Sequence, residues 1–167
     1  IPSGNVIFAP GKMVKAPSNG TVYVSDGYDT LIPLSHFDQA ADLGVNGAIR
    51  QVDDRVVEEY KVSNRVLSPY VSCEGRIYLG MGGKLFELHL PSQNPYPLQS
   101  KTCAMLTKEI KLPQFVGDPG GTIYHLKNGT LHPIRSWQKF VELNKEKLPI
   151  VKISYITVSL LAKGELI

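Results

Sequence analysis

Two histidines, His125 and His132, stand on either side of Asn128-Gly129. An Asn-Gly pair tolerates positive φ at both centres of a type I′ turn, so GTIYHLKNGTLHPI, residues 121–134, reads as a β-hairpin. That turn sets Lys127 against Thr130, Leu126 against Leu131, His125 against His132, Tyr124 against Pro133 and Ile123 against Ile134. Directly opposed side chains come within about 5.5 Å at Cβ, close enough to share a ligand. Zinc takes three or four protein ligands, and no third His or Cys is assured here, so no metal is expected. The pair instead reads as a solvated or partner-facing surface. The alternative is an acid-sensitive interface, since two imidazoles repel once protonated near pH ~6.5.

Other residue types that do chemistry lack the arrangement it needs. Asp53-Asp54 and Glu58-Glu59 are carboxylate pairs of the kind glycosidases use, but adjacent acids on a predicted surface helix usually form a solvated face. There is no GxSxG elbow, Walker loop or HExxH. Gly80-Met81-Gly82-Gly83 lies between two predicted strands, where it makes a turn and leaves no helix N-terminus for a phosphate. The expectation is a protein without catalytic residues or cofactor, at most an accessory module of a hydrolase. Cys73 and Cys103 are the only cysteines. They lie on either side of the middle hairpin and are expected to form a disulfide, which suits an exported protein, the alternative being two buried free thiols.

The elements that position these residues repeat. Gly20-Thr21-Val22-Tyr23 and Gly75-Arg76-Ile77-Tyr78 open two more hairpins like the one at Gly121. In the first unit Val6-Ile7-Phe8 reads as a lead-in strand. The hairpin turns at Asp26-Gly27-Tyr28-Asp29, and its register sets Val24 against Ile32. Ser35 then offers an N-cap for a helix over 36–43 that Gly44 ends, a strand follows at 48–52, and Asp53 caps a helix over 54–60. The last unit repeats the order, with Ser136 capping a helix over 137–143 on which Trp137, Phe140 and Val141 share a face, and a strand over 150–157. The middle unit turns at Gly82-Gly83, with Leu79 opposite Phe86. Pro91, Asn94, Pro95 and Pro97 then forbid a helix directly after the hairpin, and the nearest helical candidate is 103–110. The expected fold class is β-rich α+β. It comprises three irregular repeats of β-hairpin plus short helix and strand, packed like a solenoid or propeller in a single repeat-built domain, with units of roughly 14–66, 67–115 and 116–167.

Tyr23, Tyr78 and Tyr124 hold one position in all three units. They are either an aromatic core between units or a ladder on which sugars stack, with Trp137, Tyr28, Tyr96 and Tyr155 as further stacking candidates. Composition narrows the partners. Lys and Arg number 18 against 15 Asp and Glu, too slight an excess for nucleic acid without a basic patch. No apolar run approaches the ~20 residues that span a bilayer.

The third unit, GTIYHLKNGTLHPIRSWQKF followed by Ile156 to Gly164, resembles the short hairpin-helix repeats of exported actinobacterial and other Gram-positive proteins. Such repeats accompany cell-wall hydrolases and surface glycosidases. The resemblance implies a non-catalytic, extracellular or cell-surface module for a cell-wall or polysaccharide ligand, and it brings no catalytic residue. The alternative is a protein-interaction or assembly module, such as an adhesin or phage-associated component. The ligand-binding candidates on either reading are Tyr23, Tyr78, Tyr124, His125, His132 and Trp137.

Overall fold

The computed structural model describes residues 7–167 and places them in three five-stranded sheets joined by short helices. The first unit runs β1 (Met13–Lys15), β2 (Val22–Asp26), β3 (Thr30–Pro33), α1 (Phe37–Leu43), β4 (Arg50–Gln51), α2 (Asp54–Glu58) and β5 (Lys61–Val62). The second runs β6 (Tyr70–Cys73), β7 (Arg76–Met81), β8 (Lys84–Glu87), β9 (Tyr96–Pro97), α3 (Ser100–Cys103) and β10 (Lys108–Glu109). The third runs β11 (Phe115–Gly117), β12 (Ile123–Lys127), β13 (Thr130–Pro133), α4 (Trp137–Leu143), β14 (Ile150–Lys152), α5 (Tyr155–Leu160) and β15 (Ala162–Lys163).

All three sheets share one topology. An antiparallel meander of three strands is flanked on each side by a two- or three-residue strand that runs parallel to its neighbour, in the orders β4-β1-β2-β3-β5, β10-β8-β7-β6-β9 and β14-β11-β12-β13-β15. The middle unit is therefore less divergent than its prolines suggest. It loses only the helix after the hairpin, because extended Pro-rich chain reaches the position of β9 just as well.

The hairpin registers follow the turn chemistry. His125 faces His132, Leu79 faces Phe86 and Val24 faces Ile32. Asn128 and Gly129 take φ of 53° and 75°, as a type I′ turn requires. Several expectations need correction. Each hairpin is preceded by a third strand, and in the first unit this is β1 at Met13–Lys15; Val6 lies outside the described residues, and Ile7 and Phe8 are not in a strand. Residues 150–157 are not one strand: the chain leaves β14 after Lys152, and the Ser154 hydroxyl accepts from the Thr157 amide at 3.1 Å, which starts α5. The middle helix begins at Ser100 rather than near Cys103, and Lys108–Glu109 is strand. His36, not Ser35, is the N-cap of α1; the Gln39 side chain reaches back to the Ser35 amide and hydroxyl at 3.2 and 2.8 Å.

Alternation along the strands gives each meander two faces, and the faces pair in one order. The row Met13, Val24, Ile32 of the first sheet packs with Val71, Tyr78 and Leu85 of the second. Tyr70, Leu79 and Phe86, on the opposite face of the second sheet, pack with Val116, Tyr124 and Leu131 of the third. The first sheet's other row, Val14, Tyr23 and Leu31, is covered from within its own unit by Val57 of α2, together with Phe8. Each layer thus joins one face of a sheet to the opposite face of the next.

A Val–Tyr pair stands at the same register in every unit: Val14 opposite Tyr23, Val71 opposite Tyr78, Val116 opposite Tyr124. The helices α2, α3 and α5 place Val57, Cys103 and Val158 over these rows. Cys73 and Cys103 form a disulfide with 5.8 Å between Cα atoms, tying β6 to α3. No helix is long and apolar enough to cross a membrane among the described residues.

The first unit also reaches the third. Glycine at position 80 permits this approach, since a Cβ there would lie 2.6 Å from the Asp42 carbonyl oxygen. The C-terminal turn of α1 consequently lies on the β7–β8 turn. From there the Asp42 carboxylate accepts from the Ser154 amide at 3.0 Å, the Ser154 hydroxyl at 2.6 Å and the Thr157 hydroxyl at 2.5 Å.

Candidate interaction site

The three repeat tyrosines are buried, with 6, 7 and 9% of Tyr23, Tyr78 and Tyr124 exposed. This corrects their place among the ligand-binding candidates. Each is a component of an apolar layer, because its strand position faces a neighbouring sheet or helix, so no tyrosine ladder faces solvent. Tyr96 is buried as well, and its hydroxyl donates to Ser63 at 2.7 Å. Among the exposed rings are Trp137, Tyr28 and Tyr155.

His125, His132 and Trp137 lie together on the side of the third sheet that, among the described residues, no other sheet covers. The row there is Phe115, His125 and His132, in the position that Met13-Val24-Ile32 and Tyr70-Leu79-Phe86 hold in the other sheets. Helix α4 lies over it. Phe115 stacks on the His125 ring at 5.2 Å between centroids and meets Phe140 edge-on at 5.0 Å, and Trp137 packs against Phe140 at 5.0 Å. Burial holds the His125 imidazolium below the usual histidine range, with His132 and Lys127 adding repulsion. The His132 Nδ1 lies 3.3 Å from the Glu165 carbonyl oxygen. Among the described residues no three His, Cys, Asp or Glu side chains gather as a metal site.

Comparison of α1 with α4 defines the surface. The two helices occupy equivalent places and read FDQAADL and WQKFVEL. On α1, Ala40, Asp42 and Leu43 are buried against the neighbouring units, and Leu43 is 1% exposed. On α4, Phe140 alone is buried, while Trp137, Val141 and Leu143 are 66, 54 and 36% exposed. The predicted shared face of Trp137, Phe140 and Val141 is therefore split, one ring turned inward and two side chains outward. Fully burying a side chain such as leucine stabilises by about 1.5–3 kcal/mol, an amount realised in full at Leu43 and only in part at Leu143.

The carboxylates of Asp53, Glu58 and Glu59 are exposed around α2, and the groove beside it is lined by Asp53 but not by Asp54, Glu58 or Glu59. Sequence reasoning missed the buried acids. Asp42 sits among Ala40, Ala41 and Leu43, and an acid on an apolar helix face is the signal that could have found it. Asp26 is likewise buried at the end of β2, where its carboxylate accepts from the Thr102 hydroxyl at 2.6 Å and the Gln99 amide at 3.0 Å. Burial raises its pKa, partly offset by those two hydrogen bonds. Thr102 and Thr157 hold equivalent places in α3 and α5, so the first unit secures each of the other two by an aspartate on a first-turn threonine.

No protein-family model matches the chain, and no curated protein matches it. Among solved structures it is similar to a chain in the periplasmic assembly from the ESX-5 inner membrane complex, at 9% identity and a TM-score of 0.30, covering 96% of this chain and 67% of that one. It is also similar to a chain in an intact ESX-5 inner membrane complex, at 10% identity and a TM-score of 0.30, covering 96% of this chain and 58% of that one. Likeness at this level establishes neither a common fold nor a common role.

Proposed function

We propose that the chain is a non-catalytic binding module acting outside the cytoplasm, and that it serves protein assembly through the outer face of its third unit. The observation that carries this is the contrast between Leu43, covered by the next sheet, and Leu143, left open beside Trp137 and Val141. The contrast lies at Leu143, since Trp137 and Val141 correspond to Phe37 and Ala41, which are exposed on α1 as well. Apolar surface left open at a position that is an interface in the first unit supports a partner there. The Cys73–Cys103 disulfide supports an oxidising compartment. On this reading the units form a short, compact repeat array, since α1 reaches α5 as well as the second sheet. A second reading, a module for cell-wall or polysaccharide ligands, rests on the exposed ring of Trp137.

A photo-crosslinking amino acid at position 141, in the protein made by its native cells, separates the two. A discrete protein adduct from position 141, with none from position 58 on the far side, is the expected result. Absence of any protein adduct, combined with retention of the purified chain on wall polysaccharide that Trp137→Ala abolishes, would replace assembly by the carbohydrate reading.

A further inference from the structure

Between the second and third sheets lies an open groove of about 530 Å³, lined by no residue of α4. The β7–β8 turn, the linker after β10 and the segment leading into β14 form its walls. Its accessible apolar floor is the half-buried Leu112 and Val151, with the buried Met81 and Phe86 beneath them, and its rim carries Lys84, Lys111 and Lys152. One acid, Glu109, shares the rim and pairs with Lys84 at 3.0 Å. Among the described residues Lys111 and Lys152 have no carboxylate partner. Ile110, between Glu109 and Lys111, projects fully into solvent at 102% exposure. The two strands beside the groove, β10 and β14, are each the end strand of a sheet, so each has an edge free of strand partners among the described residues.

We propose that this groove takes an extended acidic peptide segment of a partner protein. Three features converge on that chemistry. An extended chain places alternate side chains on opposite sides, so apolar residues can sit on the floor while carboxylates between them meet Lys111 and Lys152. The end strands offer backbone groups for strand addition. An acidic sugar would find cations here but no flat ring to stack on, because the aromatic residue lining the groove, Phe86, is 5% exposed. The site goes beyond the assembly reading, since it uses a different surface and a different chemistry from the apolar face of α4.

The test is fluorescence anisotropy of the intact, disulfide-bonded chain with a labelled decapeptide of alternating valine and glutamate. Alternating valine-lysine and serine-glutamate peptides and oligogalacturonate serve as comparison probes. The valine-glutamate peptide is expected to bind, weakening at least tenfold in the Lys111→Gln/Lys152→Gln variant and at least tenfold when serine replaces valine. The charge-reversed Lys111→Glu/Lys152→Glu variant should prefer the valine-lysine peptide. Equal binding of the acidic and basic peptides to the natural chain, or binding unchanged in the Gln variant, overturns the proposal. Displacement by oligogalacturonate as effective as by unlabelled peptide also overturns it, in favour of an acidic sugar.

Discussion

The Asp42 carboxylate and the Thr157 hydroxyl, 115 residues apart in sequence, meet in a buried hydrogen bond of 2.5 Å. Asp42 belongs to the first unit and Thr157 to the third, and the Gly82 amide of the second points at the same carboxylate from 3.4 Å. One side chain therefore joins all three units.

Removing that side chain should loosen the whole molecule. Asp42→Ala leaves the Ser154 and Thr157 hydroxyls and the Ser154 and Gly82 amides without that acceptor, at a cost of about 3 kcal/mol. The expected result is a Tm lower by about 6–12 °C. Asp42→Asn, which keeps one acceptor oxygen, should lose less. A Tm within about 2 °C of the natural chain for Asp42→Ala would show that the junction contributes little.

Asp26 should give a stability that grows toward acid pH. Burial raises its folded pKa above the unfolded value near ~3.9, so between the two the folded chain binds the extra proton. Its contribution to stability therefore rises as pH falls through the folded pKa. The charged form is the costly one above it. Asp26→Asn keeps an oxygen for Thr102 and Gln99 but does not titrate. Urea unfolding from pH 7 down to pH 4 should show the natural chain gaining on the variant, and a constant difference would refute the assignment.

His125 works in the opposite direction. Its folded pKa lies below the unfolded value of ~6.5, so the unfolded chain takes up the proton first and stability declines as pH falls from 7 toward 5. Val24 and Leu79 hold the equivalent position in the other sheets. His125→Leu should flatten the decline over that range in chemical denaturation, and identical slopes for variant and natural chain would count against it.

The disulfide closes a loop over a sequence separation of 30 residues. Chain entropy alone assigns such a bond about 3.5 kcal/mol. Cys73→Ser/Cys103→Ser should thus lower Tm by about 7–14 °C, and added dithiothreitol should reproduce that shift in the natural chain but not in the variant.

Much of the local structure was legible in the residues. Asn128-Gly129 specifies a turn that few other pairs allow, and with the turn the register of His125 and His132 follows. Ser136 caps α4 through its hydroxyl, which accepts from the Lys139 amide at 3.1 Å. The candidate site was legible in part: the opposed histidines and Trp137 were found, while Leu143 was not singled out, since its sequence resembles that of any amphipathic helix. The strands β1, β6 and β11 are only three or four residues long, too short for alternation to mark them, although turn residues with positive φ (Gly20, Glu74-Gly75 and Gly121) follow each of them. The helix α5 was hidden inside the β-branched run Ile150 to Thr157, whose propensity points to strand until Ser154 caps.

By itself the sequence determined the hairpins, their registers, the helices after the first and third of them, and the recurrence of tyrosine at one strand position. These depend on interactions between near neighbours, which the order of residues specifies directly. Only the tertiary structure decided which way each repeated residue faces. Tyr78 and Tyr124 are buried because another sheet covers them, and Tyr23 because its own unit does. Leu43 is buried because the second sheet packs against it, while among the described residues no other sheet packs against Leu143. Burial is a property of what packs against a side chain, and residues far apart in the chain, such as Asp42 and Thr157, supply that packing.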